Sequence, residues 1–308
     1  MKEDKILRRK ANAVKDLAES SIALTIAGFD PSSGAGVTAD LQVFAAHGVH
    51  GVSAITALTV QSTREVRRVE PVNGELLRES LECLAGDLRI GGVKIGMLGT
   101  AEAVGVVAGW LREAGIPRER VVLDPVIRAS SGAELLSAAG VERLRSELLP
   151  LVGWVTPNLA EAGVLLGEET PGREGVPEVA VRIQAMGAGH RTPDIETRAP
   201  GTGHQAPDIE NRAAGAAAGL NVVVTGGHLE PPDDFLLTAA GEGIWFPGRR
   251  VEARGVHGTH GTGCAFSSAL LCRLMLGDGA AEAVAGAKAW VVKRLGAGIP
   301  GGGASGND

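Results

Sequence analysis

Tyrosine is absent from the 308 residues, and aromatic residues together make up only 3%. A core of this size must therefore be assembled from Ala, Val, Leu and Ile, which the 44% hydrophobic fraction supplies. A basic excess is also lacking, since the formal net charge is −6. That argues against a polyanion partner, because nucleic-acid-binding domains show a basic surplus or stripe. A local phosphate site stays open to an acidic chain, because backbone N–H groups bind anions without net positive charge.

Cysteine is scarce: Cys83, Cys264 and Cys272 form neither paired spacing nor a zinc-ligand pattern, and a reducing cytoplasm is expected. No apolar run approaches the about 18 residues that span a bilayer, so no membrane partner is expected. Residues 1–20 mix both charge signs and have no apolar signal-like stretch, which predicts a helical surface extension. Residues 297–308 read as a Gly-rich flexible tail.

Short β-branched runs alternate with helical patterns along the rest of the chain. Strands are expected at Ser21–Ala27, Val52–Val60, Glu65–Val69, Val93–Ile95, Arg120–Leu123, Gly153–Thr156 and Asn221–Thr225, with a hairpin at Phe235–Thr238 and Gly243–Phe246. Helices are expected at Val37–His47, Asn73–Asp87, Thr100–Ala114, Ala133–Leu148, Thr262–Leu276 and Ala280–Leu295. Such alternation implies an α/β fold, a mostly parallel sheet covered on both faces, with ligands beyond the carboxyl ends of the strands. Residues 21–296 read as one domain. Its one anomaly is Gly189–Ala199, repeated fourteen residues later as Gly203–Ala213. Two copies cannot form a solenoid. Their Pro, Gly and charge content predicts a disordered surface insertion at 187–219, and His190 and His204 in such a loop fit a duplicated insertion better than a metal cage.

Four stretches carry chemistry. Gly258–Cys264 precedes a helix; the glycines at 261 and 263 can turn N–H groups toward one point, and the helix start adds a positive dipole end. A cysteine there is expected to have a lowered pKa; the alternative is a Gly-rich turn with a packed Cys. Ala27–Asp40 follows a strand and opens a helix, as ligand loops do, although it matches neither of the common nucleotide fingerprints. Gln61, Asp124, Asn158 and Glu161 fall at strand ends. The last two share a helix face, where they could hold Mg²⁺ and phosphates with Asp124, or simply cap the helix. Val222–His228 ends a strand on Thr225 and two glycines.

The order of these stretches resembles the hydroxymethylpyrimidine and phosphomethylpyrimidine kinases of thiamine biosynthesis, within the ribokinase-like superfamily. The matching stretches are Ala23–Asp40, Ile55–Thr63, Val93–Leu98, Leu123–Val126, Thr156–Ala162, Gly226–Glu230, His260–Cys264 and Ala287–Trp290. The resemblance implies a three-layer α/β/α sandwich and transfer of phosphate from ATP, with Mg²⁺, to a hydroxymethyl pyrimidine and then to its monophosphate. It places Asp40 and Gln61 on the aminopyrimidine, Met97 and Val126 against its ring, and Lys288 near substrate and phosphates. Asp124 and Glu161 would organise Mg²⁺, and Asn158, Thr225 and Gly227 the nucleotide. Gly261, Thr262 and Gly263 would form the anion hole, with Cys264 facing the reacting oxygen. A homodimer is the family expectation. Thr225 stands where many relatives have Lys, and Phe29, Ile127 and Arg128 also depart from the pattern. Related sugar kinases carry Asp in place of Cys264. Pyridoxal or pyridoxine phosphorylation and a silent ligand-binding relative are the other readings.

Overall fold

The structure, a computed structural model, describes residues 22–62, 65–129, 132–169, 172–188, 219–252 and 260–297. Nine strands form one sheet: β1 (Ile22–Phe29), β2 (His50–Gln61), β3 (Val66–Pro71), β4 (Ile90–Ile95), β5 (Val121–Leu123), β6 (Trp154–Val155), β7 (Asn221–Val224), β8 (Asp234–Leu237) and β9 (Gly243–Phe246), in the order β3-β2-β1-β4-β5-β6-β7-β8-β9. The six strands from β2 to β7 in that order are parallel, while β3, β8 and β9 pair antiparallel at the two edges.

Strand alternation builds two cores. Leu24, Ile26, Val93, Ile95, Leu123 and Val155 face one side, against α2 (Gly74–Asp87), α3 (Ala101–Glu113), α4 (Ala138–Arg143), α5 (Leu159–Leu166) and α6 (Val176–Gly187). Ala23, Val122, Trp154 and Val223 face the other, against α1 (Gly36–Ala46), α7 (Thr262–Met275) and α8 (Ala280–Ala297). Because both faces are covered, β1 reads IALTIAGF rather than polar-apolar, and its inner six residues are all buried. This is the expected three-layer α/β/α arrangement.

Local chemistry moved some boundaries. The helix expected from Ala133 starts at Ala138, because Ser137 caps it by accepting from Gly140 N, and Leu135 N instead donates to Ile127 O. The turn after Arg143 widens to a π-helical one through Leu148. Helix α6 is absent from the sequence expectation, yet Val176, Val179, Ala180, Ile183 and Gly187 give the helical spacing of its buried face, and a proline sits in its first turn. Its last residue, Gly187, corrects the expected start of the insertion: it packs against Leu220, which is itself buried. The repeat lies outside the described residues, as do residues 1–21 and 298–308.

Candidate active site

Parallel strands put their carboxyl ends on one edge, so Asp30 after β1, Gln61 at the end of β2, Met97 after β4, Asp124 after β5, Asn158 after β6 and Thr225 after β7 all emerge there. Strand order reverses between β1 and β4, the crevice where open α/β sheets bind ligands. Met97 lies there across Gly28, its Cε occupying the space that a side chain at 28 would need.

Two loops close over this edge and touch. Gly261 has φ 74° and abuts the carbonyl of Gly34 so tightly that no Cβ fits. Only glycine satisfies both conditions. Beside it, Gly36 N donates to the Cys264 sulfur, and His260 Nε2 lies 2.9 Å from Asp30 Oδ2. The loop after β1 and the turn before α7 are therefore one unit. Gly263 is exposed, with Asp124 nearest to it, and Ser267 Oγ donates to Asp124 Oδ2 at 3.2 Å. The N-terminus of α7, with Gly261, Thr262 and Gly263, lies toward Asp124 at the β5 end.

Cys264 corrects an expectation. Its thiol is pushed up to about 12, not lowered: burial is the largest cause, the Asp124 and Asp40 charges add to it, and Lys94 and the Gly36 N–H only partly offset them. The residue is half-buried, and its thiol hydrogen-bonds to Asp124. A helix dipole worth at most about 2 kcal/mol loses here to removal from water. Asp124 is itself raised, by burial first and then by Asp40, against the opposing effects of Lys94, Ser267 and Cys264. Glu161 rises to about 8 through burial and repulsion from Asp124, despite N–H groups from Asn158 and Ile127.

Asn158 and Glu161 also form a full capping box on α5, each side chain accepting from the other's backbone N–H at 2.9 Å. The two side chains expected to hold metal and phosphates thus cap this helix at the strand-end edge. The backbone of Thr225 pairs beside Asn158, its N–H donating to Pro157 O, and Gly227 is exposed with open space around it. Val126 is half-buried in the turn after Asp124, its N–H donating to the Asp124 carbonyl.

One expected substrate contact, Asp40, is corrected, and a second, Lys288, has partners within the protein. Asp40 is 0% exposed, and its carboxylate accepts from Thr25 Oγ1 (2.6 Å), Ser268 Oγ (2.8 Å) and Lys94 Nζ (2.9 and 3.1 Å). Both oxygens are committed inside the protein, so Asp40 supports the site from below. Lys288 Nζ donates to Asp234 Oδ2 (2.8 Å) and Pro232 O (3.0 Å), while Asp234 Oδ1 accepts from Gly226 N. That ties Lys288 to the Thr225–Gly227 turn, the expected nucleotide side, and not to Gln61 or Met97.

Lys94 was missed. It is 0% exposed; burial, the largest effect, opposes its charge, but its carboxylate neighbours, Asp40 foremost with its hydrogen bonds, together hold the ammonium charged. A lone lysine inside an apolar strand was the available signal. His260 lies in the His260–Cys264 stretch without an expected role of its own. No group of three or more metal-ligating side chains occurs among the described residues. A shallow depression at Ala160, Gly163 and Val164 of α5 lies outside the strand-end arrangement.

A family model described as phosphomethylpyrimidine kinase matches residues 30–190 and 201–307. A hydroxymethylpyrimidine/phosphomethylpyrimidine kinase of Rhizobium meliloti is 38% identical over 273 residues, 88% of this chain and 89% of that protein. Among solved structures, phosphomethylpyrimidine kinase from Clostridium difficile 630 is similar with a TM-score of 0.67 and 30% identity, covering 88% of this chain and 98% of that one. Pyridoxal kinase from Staphylococcus aureus, in complex with AMP-PCP and pyridoxal, has a TM-score of 0.67 and 26% identity, covering 89% and 88%.

Proposed function

The chain belongs to the phosphomethylpyrimidine kinase family, and we propose that it phosphorylates 4-amino-5-hydroxymethyl-2-methylpyrimidine and then the resulting monophosphate, using ATP, in thiamine diphosphate synthesis. It is a phosphotransferase with a ribokinase-like fold. The observation that carries the reading is the approach of the α7 N-terminus to the buried carboxylate of Asp124, which in turn has the buried Glu161 as a charged neighbour.

N–H groups at Gly261–Gly263 would receive charge developing on the transferring phosphoryl group. The Thr225–Gly227 turn, with Asn158 beside it, would hold the nucleotide phosphates, and Lys288 steadies that turn through Asp234. Gln61 would address the ring, with Met97 and Val126 against its faces. Cys264 enters as a neutral thiol that donates to Asp124, so its contribution is placement and polarity at the attacking oxygen. The phosphoryl transition state is loose and needs little proton removal early.

Asp124 and Glu161 would fit a divalent cation: burial raises the proton affinity of both, and the Asp124 charge raises that of Glu161 further, so positive charge between them would be welcome. With so few protein ligands, Mg²⁺ is the suitable ion, since it keeps waters and takes phosphate oxygens. When bound it would neutralise phosphate charge. Leu58 and Val60 of β2 are 51% and 47% exposed, an apolar surface that would suit the homodimer expectation. The three cysteines are free, in keeping with a reducing cytoplasm, and no helix among the described residues is long and apolar enough to cross a membrane.

The test is ADP release with the pyrimidine alcohol, its monophosphate and pyridoxal in parallel. The proposal expects turnover of both pyrimidines. Preferential turnover of pyridoxal would move the chain to the activity of the Staphylococcus aureus pyridoxal kinase, and no turnover of any would leave a binding protein.

A further inference from the structure

His260 stands between two side chains that cannot both be satisfied as they are placed. Its Nε2 lies 2.9 Å from Asp30 Oδ2 and 3.1 Å from the amide nitrogen of Gln61. Asp30 resolves which atom carries the proton. Its Oδ1 accepts from Ser32 N (2.8 Å) and Ser32 Oγ (2.7 Å), and its Oδ2 accepts from Ala35 N (2.9 Å). Three donors converge on a carboxylate that is 3% exposed, the surroundings of an ionised, acceptor-only group. His260 Nε2 must then be the fourth donor, in the neutral or the charged imidazole alike. The amide nitrogen of Gln61 is also donor-only, and two donors gain nothing by facing each other. A half-turn of the amide, which changes little in shape, puts its oxygen against Nε2–H.

We infer that His260 is a positioning residue: by donating to Asp30 it obliges the Gln61 amide to turn its oxygen to the imidazole and its NH₂ away from it, into the ligand crevice. Gln61 then recognises the ring as a hydrogen-bond donor. The acceptor it selects is an unprotonated ring nitrogen, and the loop from Asp30 to Gly36 that braces the α7 turn also fixes that preference. The inference rests on the kinase reading for its substrate and on hydrogen-bond chemistry for its geometry.

Two measurements test it. In ¹⁵N-imidazole-labelled protein without ligand, with the His260 signal assigned by its loss in His260→Gln, Nε2 should carry a proton; an unprotonated Nε2 overturns the inference, whatever the enzyme phosphorylates. Kinetically, the pyrimidine alcohol is compared with its analogue carrying CH in place of the ring nitrogen beside the amino group. The expected preference for the nitrogen ring is about tenfold in kcat/KM. Gln61→Glu, which has acceptors only, should abolish that preference, and His260→Ala should reduce it several-fold by raising KM for the nitrogen ring alone. Equal loss on both substrates in His260→Ala, or a retained preference in Gln61→Glu, overturns the inference. Failure of unaltered protein to use either ring would sink the kinase reading while the imidazole signal still decides the geometry.

Discussion

Lys94 Nζ lies 2.9 Å from Oδ2 and 3.1 Å from Oδ1 of Asp40, and neither side chain is exposed to solvent. The pair joins β4 to α1 beneath the strand-end crevice. Thr25 and Ser268 complete the carboxylate's hydrogen bonds from β1 and α7, so four elements meet on Asp40.

Removing Lys94 alone leaves a buried carboxylate uncompensated. Lys94→Met should cost about 3–5 kcal/mol in urea unfolding, and adding Asp40→Asn should recover part of the loss. A Lys94→Met protein as stable as the parent would disprove the pair's importance.

Cys264 should be slow to alkylate. A thiol pushed up to about 12 is almost wholly protonated at pH 8, whereas Cys83 is exposed on α2. Iodoacetamide followed by peptide mass analysis should label Cys83 at least about tenfold faster. Cys264→Ala should slow phosphorylation of the alcohol more than that of the monophosphate, whose oxygen is already anionic; equal slowing would leave the thiol no part in handling the hydroxyl.

Acid stability should depend on Asp30. Burial alone would raise its pKa, but hydrogen bonds from His260, Ser32 and Ala35 hold it at about 2, below the ordinary 3.8. A carboxyl lowered by folding stabilises the protein fully above its unfolded pKa and loses that contribution as pH falls from about 4 to about 2. Asp30→Asn should be less stable at pH 6 by about 1 kcal/mol or more and show a flatter acid limb in a pH series of unfolding curves. An unchanged acid limb would count against the assignment.

Gly261→Ala should be severe. It places a Cβ on the Gly34 carbonyl and at φ 74°, so the turn before α7 must move. The expected result is a fall in kcat of about a hundredfold or more, with far-UV circular dichroism retained, because a displaced oxyanion-type donor costs that much. Near-parental kcat would mean that this turn is not where the phosphoryl group is met.

Deleting Gly189–Ala216 should leave activity and fold intact. The flanking Gly187 and Leu220 already touch, Gln184 bonds to Leu220 O, and a short link closes the gap cheaply. A large drop in catalytic rate in a still-folded deletion would show that the repeat takes part in catalysis.

Much of this architecture is legible along the chain because it is periodic or punctuated. Covered parallel strands read as apolar runs, and Asn73 and Thr100 announce their helices by capping them. Helix α6 was legible too, through the helical spacing of Val176, Val179, Ala180 and Ile183, although no element was expected there. Gln61, Asp124, Asn158 and Glu161 were legible from their position at strand ends and Gly261–Cys264 from a glycine-rich helix start, while Met97, Val126 and Lys288 followed only from the resemblance. Buried partners were not legible, since Asp40 and Lys94 are far apart in sequence and nothing local pairs them.

The sequence by itself determined the sandwich, the edge on which the site lies and most of its members, because hydrophobic period and motif order are one-dimensional properties. Tertiary structure alone decided the charges. Whether a helix-start cysteine is a thiolate or a thiol, whether Asp40 meets a ligand or an ammonium, and which side Lys288 serves all depend on what the fold removes from water and what it sets within 3 Å or so of each group. Those short distances arise where α1 packs over β4 for Asp40, where α8 reaches β8 for Lys288, and where the loop after β1 meets the turn before α7 for Cys264.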